Sequence, residues 1–404
     1  MAPTQLSRLR LGLIVLAGFL ALVVAMGIGR FAFTPMLPLM QRDGALGTSA
    51  GAWLAAANYA GYFAGALCAA CIRLTPHNLI RVSLVPIALF TAAMGFTGAL
   101  LPWLLLRFAA GMLSAWVLVG TSAWCLAQIA PAGRPALAGL VYAGVGAGIA
   151  IAGALCLALA STTAATLWLY MGVISAVLAL AVWLLIWRTG GEESGAPAGH
   201  AAAAPVAVPA PATSERGLVV CYGVLGFGYI LPATFIPALG RMVIDDPALF
   251  GWAWPVFGAT AALSTVLASV FLGKLSRLVV LSRSYYVMAV GAALPALLPL
   301  LPALLMSAVC VGGTFMVSTM AGYQEARARA GSKPTRLMGL MTSAFALGQI
   351  AGPLSSALLA HLPLFDEQTS LRAGLVLAAV ALVAAGIWLQ RAAHATPNLH
   401  GAQA

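Results

Sequence analysis

The chain has 404 residues, of which 62% are hydrophobic and only 7% are charged, with a formal net charge of +11 and a mean hydropathy of +1.01. Because soluble domains carry about 25% charged residues, this composition excludes a water-soluble globular protein and indicates an integral membrane protein. The apolar segments are far longer than about 10 residues, which favours membrane-spanning α-helices over an outer-membrane β-barrel.

Twelve apolar segments of spanning length follow one another along the chain. Their approximate ranges are 11–40, 50–72, 79–100, 102–128, 137–160, 166–187, 217–240, 250–272, 285–301, 303–324, 337–360 and 370–390. A stretch rich in Ala, Pro and Gly separates the sixth span from the seventh and reads as a linker. We therefore predict an all-α polytopic protein with an N-terminal six-helix bundle (1–188), a flexible cytoplasmic linker (189–216), a C-terminal six-helix bundle (217–391) and a cytoplasmic tail (392–404).

The basic residues give this arrangement an orientation. Of the 20 Lys and Arg residues, fifteen fall on the side of the two termini, three on the opposite side and two inside spans. The positive-inside rule then predicts cytoplasmic termini and an inner (plasma) membrane location. The net positive charge reports this topology and contact with anionic lipids, so it requires no nucleic-acid partner. All six cysteines lie in apolar segments, and no motif predicts a metal or cofactor.

The two halves resemble each other at a nearly constant offset. A shift of 199 residues places Gly27 on Gly226, Gly29 on Gly228 and Pro38 on Pro237. A shift of 200 residues places Gly139-Leu140 on Gly339-Leu340 and Gly148 on Gly348. The paired spans run in the same direction across the membrane. Parallel six-span repeats around a midplane cavity are the plan of the major facilitator superfamily (MFS).

The motifs G-I-G-R-F-A-F-T-P-M-L-P-L-M in span 1 and N-Y-A-G-Y in span 2 resemble signatures of the YbfB/YjiJ-type branch of that superfamily. The R-F-A-A-G segment that starts at Arg107 is similar to the R-x-x-x-G motif of span 4. The loop between spans 2 and 3 departs from the superfamily pattern because it carries no acid. The resemblance spans the whole chain and implies solute transport without naming the solute.

Span 1 ends its long apolar run with a lone arginine, Arg30, about 7.5 Å from the span midpoint toward the outer side. A charge at this depth costs at least about 2.5 kcal/mol and usually faces a cavity, so we predict that Arg30 binds substrate. The alternative is an arginine that snorkels or clamps exposed carbonyls. Pro35 and Pro38 remove backbone hydrogen bonds, which predicts free carbonyls at Phe31 and Thr34 and a gating kink just outside Arg30.

Arg107 in span 4 lies in the same outer half of the membrane, and the resemblance implies that spans 1 and 4 line one cavity. Two cations in one cavity favour an anionic group such as a carboxylate, so Arg107 is also predicted to bind substrate. The equally weighted alternative is that Arg107 bonds carbonyls of span 1 or tunes a proton site.

Four further polar residues are candidates for substrate contact. Asn58 and Tyr62 share one face of span 2, and an Asn in hydrocarbon needs a partner. Tyr229 occupies the repeat position of Arg30, and Gln349 lies within G-Q-I-A-G-P of span 11. The hydroxyls of span 10, at Thr314, Ser318 and Thr319, are further candidates, although such side chains more often bond within their own helix.

Small residues at helix contacts are predicted to let helices pack closely and rock. The candidates are Gly27, Gly29, Gly144, Gly148, Gly348 and Gly352. Of the nine acids, only Glu325 at the inner end of span 10 approaches the membrane, with Arg327 nearby. We predict a cytoplasmic gate or salt bridge at these two residues. Because no acid or His lies near a span centre, coupling to protons is left open.

These observations predict a monomeric secondary transporter that moves a small anionic or zwitterionic organic solute by alternating access. One alternative is an efflux pump for amphipathic compounds, which the 10 Trp, 15 Phe and 14 Met residues permit. A second alternative is a membrane sensor or assembly subunit that keeps the fold without transporting. We predict no enzymatic activity, because no catalytic triad, metal site or carboxylate pair is evident.

Overall fold

A computed structural model describes residues 8–44, 46, 48–69, 71–134, 136–189, 214–243, 251–298, 300–330, 334–360 and 367–395. The predicted linker lies outside these ranges apart from 189 and 214–216, and so does the predicted tail beyond 395. The boundaries of the four predicted domains therefore stay a prediction.

The described residues form α-helices joined by turns, and these ranges contain no strand. The first crossing consists of α1 (Arg8–Leu22), a π-helical segment (Val23–Ile28) and α2 (Phe33–Arg42). The remaining helices are α3 (Thr48–Ala69), α4 (Pro76–Ala93), α5 (Leu100–Ile129), α6 (Ala136–Ala158), α7 (Ala164–Arg188), α8 (Glu215–Val243), α9 (Ala253–Phe271), α10 (Arg277–Leu297), α11 (Leu301–Arg329), α12 (Pro334–Ala360) and α13 (Glu367–Ala395).

Ten candidate membrane spans meet the length and hydropathy expected of a crossing within the described part of the chain, and α3 and α4 are not among them. A helix nevertheless stands at each of the twelve predicted span positions. The all-α, polytopic prediction is confirmed, and the number of twelve crossings stays a prediction.

Local capping explains where two of these helices begin. The Thr163 hydroxyl accepts a hydrogen bond from the Thr166 N–H at the start of α7, and the Ser276 hydroxyl accepts one from the Val279 N–H at the start of α10, both at 3.3 Å. The sequence prediction placed the start of span 9 at residue 285. It was wrong by about two turns, because Ser276 caps the helix one residue before Arg277.

The internal repeat is visible in which helices pack together. In the first half, the crossing that contains α1 packs on α6, α3 packs on α5, and α4 packs on α7. In the second half, the repeat counterparts pack in the same way: α8 on α12, α9 on α11, and α10 on α13. Each half therefore buries its core with the same set of helix contacts.

Among the described residues, the most extensive contacts between the halves are those of α6 with α9 and of α3 with α12. The internal repeat relates α6 to α12 and α3 to α9, so it converts the α6–α9 pair into the α12–α3 pair. The boundary between the halves therefore has the approximate two-fold symmetry of the repeat. The α6–α9 contact extends over the full helix length. The Ser269 hydroxyl donates to the carbonyl of Ala136 at 3.0 Å near one end, and at the other end Pro255 packs against Gly153. The halves are thus in contact along this line.

Candidate functional site

The first crossing is irregular around Arg30. In the π-helical segment, the N–H of Gly29 donates to Val24 and the N–H of Phe31 donates to Met26, at 2.8 and 3.1 Å. Both bonds span five residues instead of four, so the helix is locally widened, a feature frequent at functional sites. Arg30 follows in the turn before α2 begins.

The break differs from the one predicted from the prolines. The N–H of Thr34 donates to the carbonyl of Phe31 at 3.2 Å, so the Phe31 carbonyl is not free as predicted. Pro35 and Pro38 both lie within regular helix α2, and the irregular stretch precedes them. The backbone departs from α-helix at Arg30 itself and on the α1 side of it, and the kink predicted at Pro35 and Pro38 stays a prediction.

Arg107 holds this irregular backbone in place. Its Nη1 donates to the carbonyl of Gly29 at 3.1 Å and its Nη2 donates to the carbonyl of Arg30 at 2.9 Å. Its guanidinium also lies 4.8 Å from the centroid of the Phe33 ring. Charge-assisted bonds of this kind satisfy carbonyls that a widened helix leaves open. Arg107 thus contacts span 1 carbonyls, which is the structural alternative considered for it.

Arg30 is almost completely buried at the boundary between the halves, with 2% of its surface exposed. Its Nη2 donates to the side-chain oxygen of Gln349 in α12. The guanidinium carbon lies 3.4 Å from the ring centroid of Tyr62 and 5.9 Å from that of Tyr59, both in α3. Stacking of this type stabilises a desolvated cation by about 2 kcal/mol. The sequence candidates Arg30, Tyr62 and Gln349 therefore meet at one place.

Several polar atoms at this place have no hydrogen-bond partner among the described residues. They are Nε and Nη1 of Arg30 and Nε2 of Gln349, and all three are N–H donors. Two of the described acids form ion pairs elsewhere, Asp43 with Arg42 and Glu325 with Arg277 and Arg329, and among the described residues no ion pair involves Arg30 or Arg107. A buried cation with open donors and no carboxylate partner has the chemistry needed to bind an anionic acceptor.

Asn58 is fully buried but faces the neighbouring helix of its own half. Its Nδ2 donates to the backbone carbonyl of Arg107 at 2.9 Å, and its Oδ1 has no partner in the described part of the chain. Gly111 lies against the same turn of α3, since an added Cβ there would lie 3.0 Å from Asn58 Nδ2. Asn58 therefore joins α3 to α5 beside Arg107.

Tyr229 lies close to Arg30 through the ring of Phe31. The Phe31 and Tyr229 ring centroids are 6.5 Å apart in an edge-to-face arrangement, and Tyr229 stacks on Phe315 at 4.8 Å. Phe31, Phe315 and Tyr59 border the site although the sequence did not single them out. An aromatic residue in an apolar span carries no signal that separates a site ring from a core ring.

The hydroxyls of span 10 divide into two groups. Thr314 donates to the carbonyl of Cys310 at 2.6 Å and Thr319 to that of Phe315 at 3.0 Å, so both bond within their own helix. Ser318 is fully buried, and its hydroxyl has no partner among the described residues.

A layer of buried tyrosines crosses the boundary between the halves. Tyr142 of α6 and Tyr323 of α11 contact edge to face at 6.4 Å, and Tyr222 of α8 stacks on Tyr323 at 5.8 Å. The Tyr142 hydroxyl donates to Ser122 at 2.8 Å. Because Tyr142 and Tyr323 come from different halves, this layer brings the two halves into contact at the level of these rings.

The predicted gate residue Glu325 lies away from the Arg30 site. Its carboxylate pairs with Arg329 at 2.7 Å, one turn along α11, and with Arg277 at the start of α10 at 3.6 Å. Arg327, the other predicted gate residue, forms no ion pair with Glu325 in the described ranges. The ion pairs therefore tie the end of α11 to the start of α10.

The six predicted packing glycines all lie at close helix contacts. Gly27 and Gly148 meet backbone to backbone between the first crossing and α6, and Gly348 meets Gly223 and Phe227 between α12 and α8. Gly29, Gly144 and Gly352 contact Ile87, Phe19 and Ile230 respectively. A side chain at these positions would force the helices apart.

Two related six-helix halves around a buried polar site define the chain as a membrane transporter of the major facilitator superfamily. Within that superfamily, the family model described as "Uncharacterised MFS-type transporter YbfB" matches residues 22–390, so the chain belongs to this family. The predicted family resemblance is confirmed.

One solved structure that the chain resembles is the human organic anion transporter MFSD10 (TETRAN). The TM-score is 0.71 at 14% sequence identity, and the match covers 96% of this chain and 100% of that one. A likeness at this identity shows the fold alone. No curated protein matches the chain significantly.

Proposed function

We propose that this transporter moves a small organic anion or zwitterion across the inner membrane by alternating access. The observation that carries the proposal is Arg30, a buried guanidinium with two open N–H positions and no carboxylate partner among the described residues. An uncompensated charge in such a place is expensive, and an arriving anion offsets that cost.

The geometry favours a carboxylate or a similar planar acceptor. The open Nε and Nη1 of Arg30 belong to one planar guanidinium, and the open Nε2 of Gln349 comes from the other half. An anionic oxygen can accept from any of these open donors. A carboxylate that displaces the Gln349 oxygen from Nη2 would accept two parallel N–H groups through both of its oxygens, which gives orientation as well as affinity. The substrate would then contact both halves at once, as a carrier that rocks around a central site requires.

Closure and opening would involve the boundary contacts. The α6–α9 line and the Tyr142–Tyr323 contact hold the halves together, and they would part alternately on the two sides of the membrane. The ion pairs of Glu325, with Arg327 nearby, would act as a latch at one end of α10 and α11. The irregular backbone before Pro35 and Pro38 would give the first crossing a hinge beside the site.

The similarity in fold to MFSD10 supports, by analogy, the proposal that the substrate is an organic anion. MFSD10 is described as an organic anion transporter, and its fold covers nearly this whole chain. The orientation in the proposal rests on the positive-inside count, which predicts cytoplasmic termini. The proposed working unit is a monomer in contact with anionic lipids, without a cofactor.

Uptake and efflux in vesicles that contain the purified full chain test this proposal. The panel consists of organic anions, zwitterions and amphipathic dyes, each with and without a pH gradient, and empty vesicles serve as the control. Saturable movement of an anion supports the proposal, and a dependence on the pH gradient identifies protons as the coupling ion.

The two alternatives predict different outcomes of the same experiment. If only amphipathic dyes move, the chain is an efflux pump for such compounds. If no compound in the panel moves, the proposal is overturned, and the result supports a membrane sensor or assembly subunit that does not transport.

A further inference from the structure

A run of aromatic rings begins beside the open side of Arg30. The guanidinium carbon of Arg30 lies 5.2 Å from the ring centroid of Phe31. The Phe31 ring in turn contacts Tyr229 at 6.5 Å and Phe315 at 6.1 Å, both edge to face. Tyr229 and Phe315, which contact the Phe31 ring beside Arg30, therefore belong to the second half.

The rings of the second half form a continuous apolar surface, which we name the ring shelf: Tyr229, Phe315, Phe257 and Trp254. Tyr229 stacks on Phe315 at 4.8 Å, Phe315 on Phe257 at 5.8 Å, and Phe257 on Trp254 at 5.3 Å. The shelf is built from α8, α11 and α9, and its stacked contacts stay within one half. It therefore persists when the halves separate.

Phe31 covers the shelf from the first half. Its contacts with Tyr229 and Phe315 cross the boundary that alternating access would open. In the closed protein Phe31 is buried, with 6% of its surface exposed. If the halves part as proposed, Tyr229 and Phe315 lose their edge-to-face contacts with Phe31, and another flat apolar group beside Arg30 could take the place of the Phe31 ring.

The shelf offers one open polar atom. Nε1 of Trp254 is buried and has no acceptor in the described part of the chain. Among the described residues, no Arg guanidinium lies over a shelf ring. Rings whose only polar groups are one indole N–H and one phenol hydroxyl recognise the body of a ligand by area and flatness rather than by charge.

The charge balance limits the ligand to one anionic group. Arg107, the other buried cation, already donates to the carbonyls of Gly29 and Arg30. Only the Nε of Arg107 has no partner among the described residues. A second carboxylate would therefore find a single open N–H there, or would have to displace the backbone carbonyls, and both are less favourable than binding at Arg30.

We propose that the substrate of the transport function is a monocarboxylate with a flat, apolar body, such as an aromatic ring. The carboxylate binds Arg30, and the ring lies on Phe315 and Tyr229 in the place that Phe31 covers in the closed protein. This inference rests on the proposed anion transport and narrows its substrate class.

Equilibrium binding to the purified full chain in detergent tests the inference. The probes are benzoate, cyclohexanecarboxylate, acetate, succinate and the neutral amide benzamide. Benzoate should bind at least about tenfold more tightly than acetate and succinate, and more tightly than the puckered cyclohexanecarboxylate of equal carbon number. Benzamide should bind more weakly than benzoate because it lacks the charge.

A variant pair adds a second readout. Phe315→Leu removes a ring and keeps an apolar side chain, so benzoate affinity should fall about fivefold while acetate affinity stays unchanged. Phe271→Leu is the matched control, since Phe271 lies outside the shelf with 73% of its surface exposed. If Phe315→Leu fails to fold, the affinities of the wild-type chain for benzoate and cyclohexanecarboxylate still test whether the site prefers a flat ring.

Two results would overturn the inference in distinguishable ways. If acetate or succinate binds as tightly as benzoate, the ring preference is wrong and anion transport stands. If no anion binds and the vesicle panel moves none, the proposed function and this inference both fail.

Discussion

Arg30 of the first half donates a hydrogen bond to the side-chain oxygen of Gln349 of the second half. Both residues are buried, and the bond crosses the boundary at which the two halves separate. The amide oxygen of Gln349 thus occupies one acceptor position that the proposed carboxylate would take. In the proposed mechanism, Gln349 would give Arg30 a neutral partner and so allow the halves to close without substrate.

The first prediction changes that partner to a charged one. In Gln349→Glu the carboxylate would pair with Arg30 directly and compete with a substrate anion. Anion affinity should fall at least about tenfold, while the midpoint of thermal unfolding should rise. Binding isotherms and thermal unfolding of the same preparation measure both effects. Gln390→Glu is the control, because Gln390 accepts from Tyr286 in an exposed position away from the site. An unchanged anion affinity in Gln349→Glu would contradict the role given to Gln349.

The second prediction separates Arg107 from Arg30. Arg107→Lys keeps a charge but cannot reach the carbonyls of Gly29 and Arg30 with two parallel N–H groups. We expect a loss of about 1.5–3 kcal/mol of stability, measured as a lower unfolding midpoint. Anion affinity per folded molecule should fall much less than in an Arg30 variant. Arg134→Lys, at an exposed turn, serves as the control. A stable Arg107→Lys protein without anion affinity would instead assign Arg107 to the substrate.

The third prediction concerns the line along which the halves touch. A Cβ at Gly258 of α9 would lie 2.6 Å from the carbonyl oxygen of Gly146 and 2.9 Å from the Cα of Ala150, both in α6. Gly258→Ala should force the halves apart, with a cost of about 1–3 kcal/mol and slower transport. Unfolding midpoints and vesicle uptake measure these effects.

The control for this variant is Gly12→Ala. A Cβ at Gly12 meets nothing within 4 Å, so the substitution should be neutral or slightly stabilising. Equal behaviour of Gly258→Ala and Gly12→Ala would show that close approach of α6 and α9 is unimportant.

The fourth prediction is a pH dependence at the loop end of α2. The Asp43 carboxylate accepts from the N–H of Ala164 at 2.6 Å and from Arg42, and these contacts lower the pKa of Asp43 below its ordinary value. The carboxylate ties the first crossing to the start of α7. Its stabilisation should be fully present above the unfolded-state pKa of about 3.9 and be lost as pH falls through the lower folded-state pKa.

The comparison with Asp43→Asn isolates this contribution. The difference in unfolding midpoint between wild type and Asp43→Asn should be largest near neutral pH and shrink in acid. A difference that stays constant or grows as pH falls would refute the role of the Asp43 carboxylate.

The spans, the repeat and the close glycine contacts follow from the sequence because they depend on local composition and spacing. Gly27 and Gly148 illustrate this, since small residues at nearly constant offsets mark where helices approach. The irregular backbone around Arg30 was not predicted, because proline position is a local signal, whereas Arg107 from another helix binds the carbonyls of Gly29 and Arg30 that follow the π-helical segment.

The site was only partly visible for the same reason. Arg30, Tyr62 and Gln349 stand out as polar residues in apolar spans, but their meeting depends on how helices of different halves face each other. Phe31 and Phe315 had no distinguishing signal, because an aromatic ring in a span is ordinary. The different contacts of Arg30 and Arg107 could not be predicted, because they depend on how each helix is rotated about its own axis. A uniformly apolar segment gives no information about that rotation.

The most direct test of the central claim is the initial rate of benzenesulfonate uptake into vesicles that contain equal amounts of folded wild type, Arg30→Gln or Arg134→Gln. This permanently charged probe does not cross the bilayer as a neutral acid. Uptake should fall at least about tenfold in Arg30→Gln, as expected for the loss of one charge-assisted hydrogen bond, and stay at the wild-type rate in Arg134→Gln. Wild-type uptake in Arg30→Gln would contradict the claim that Arg30 holds the substrate anion.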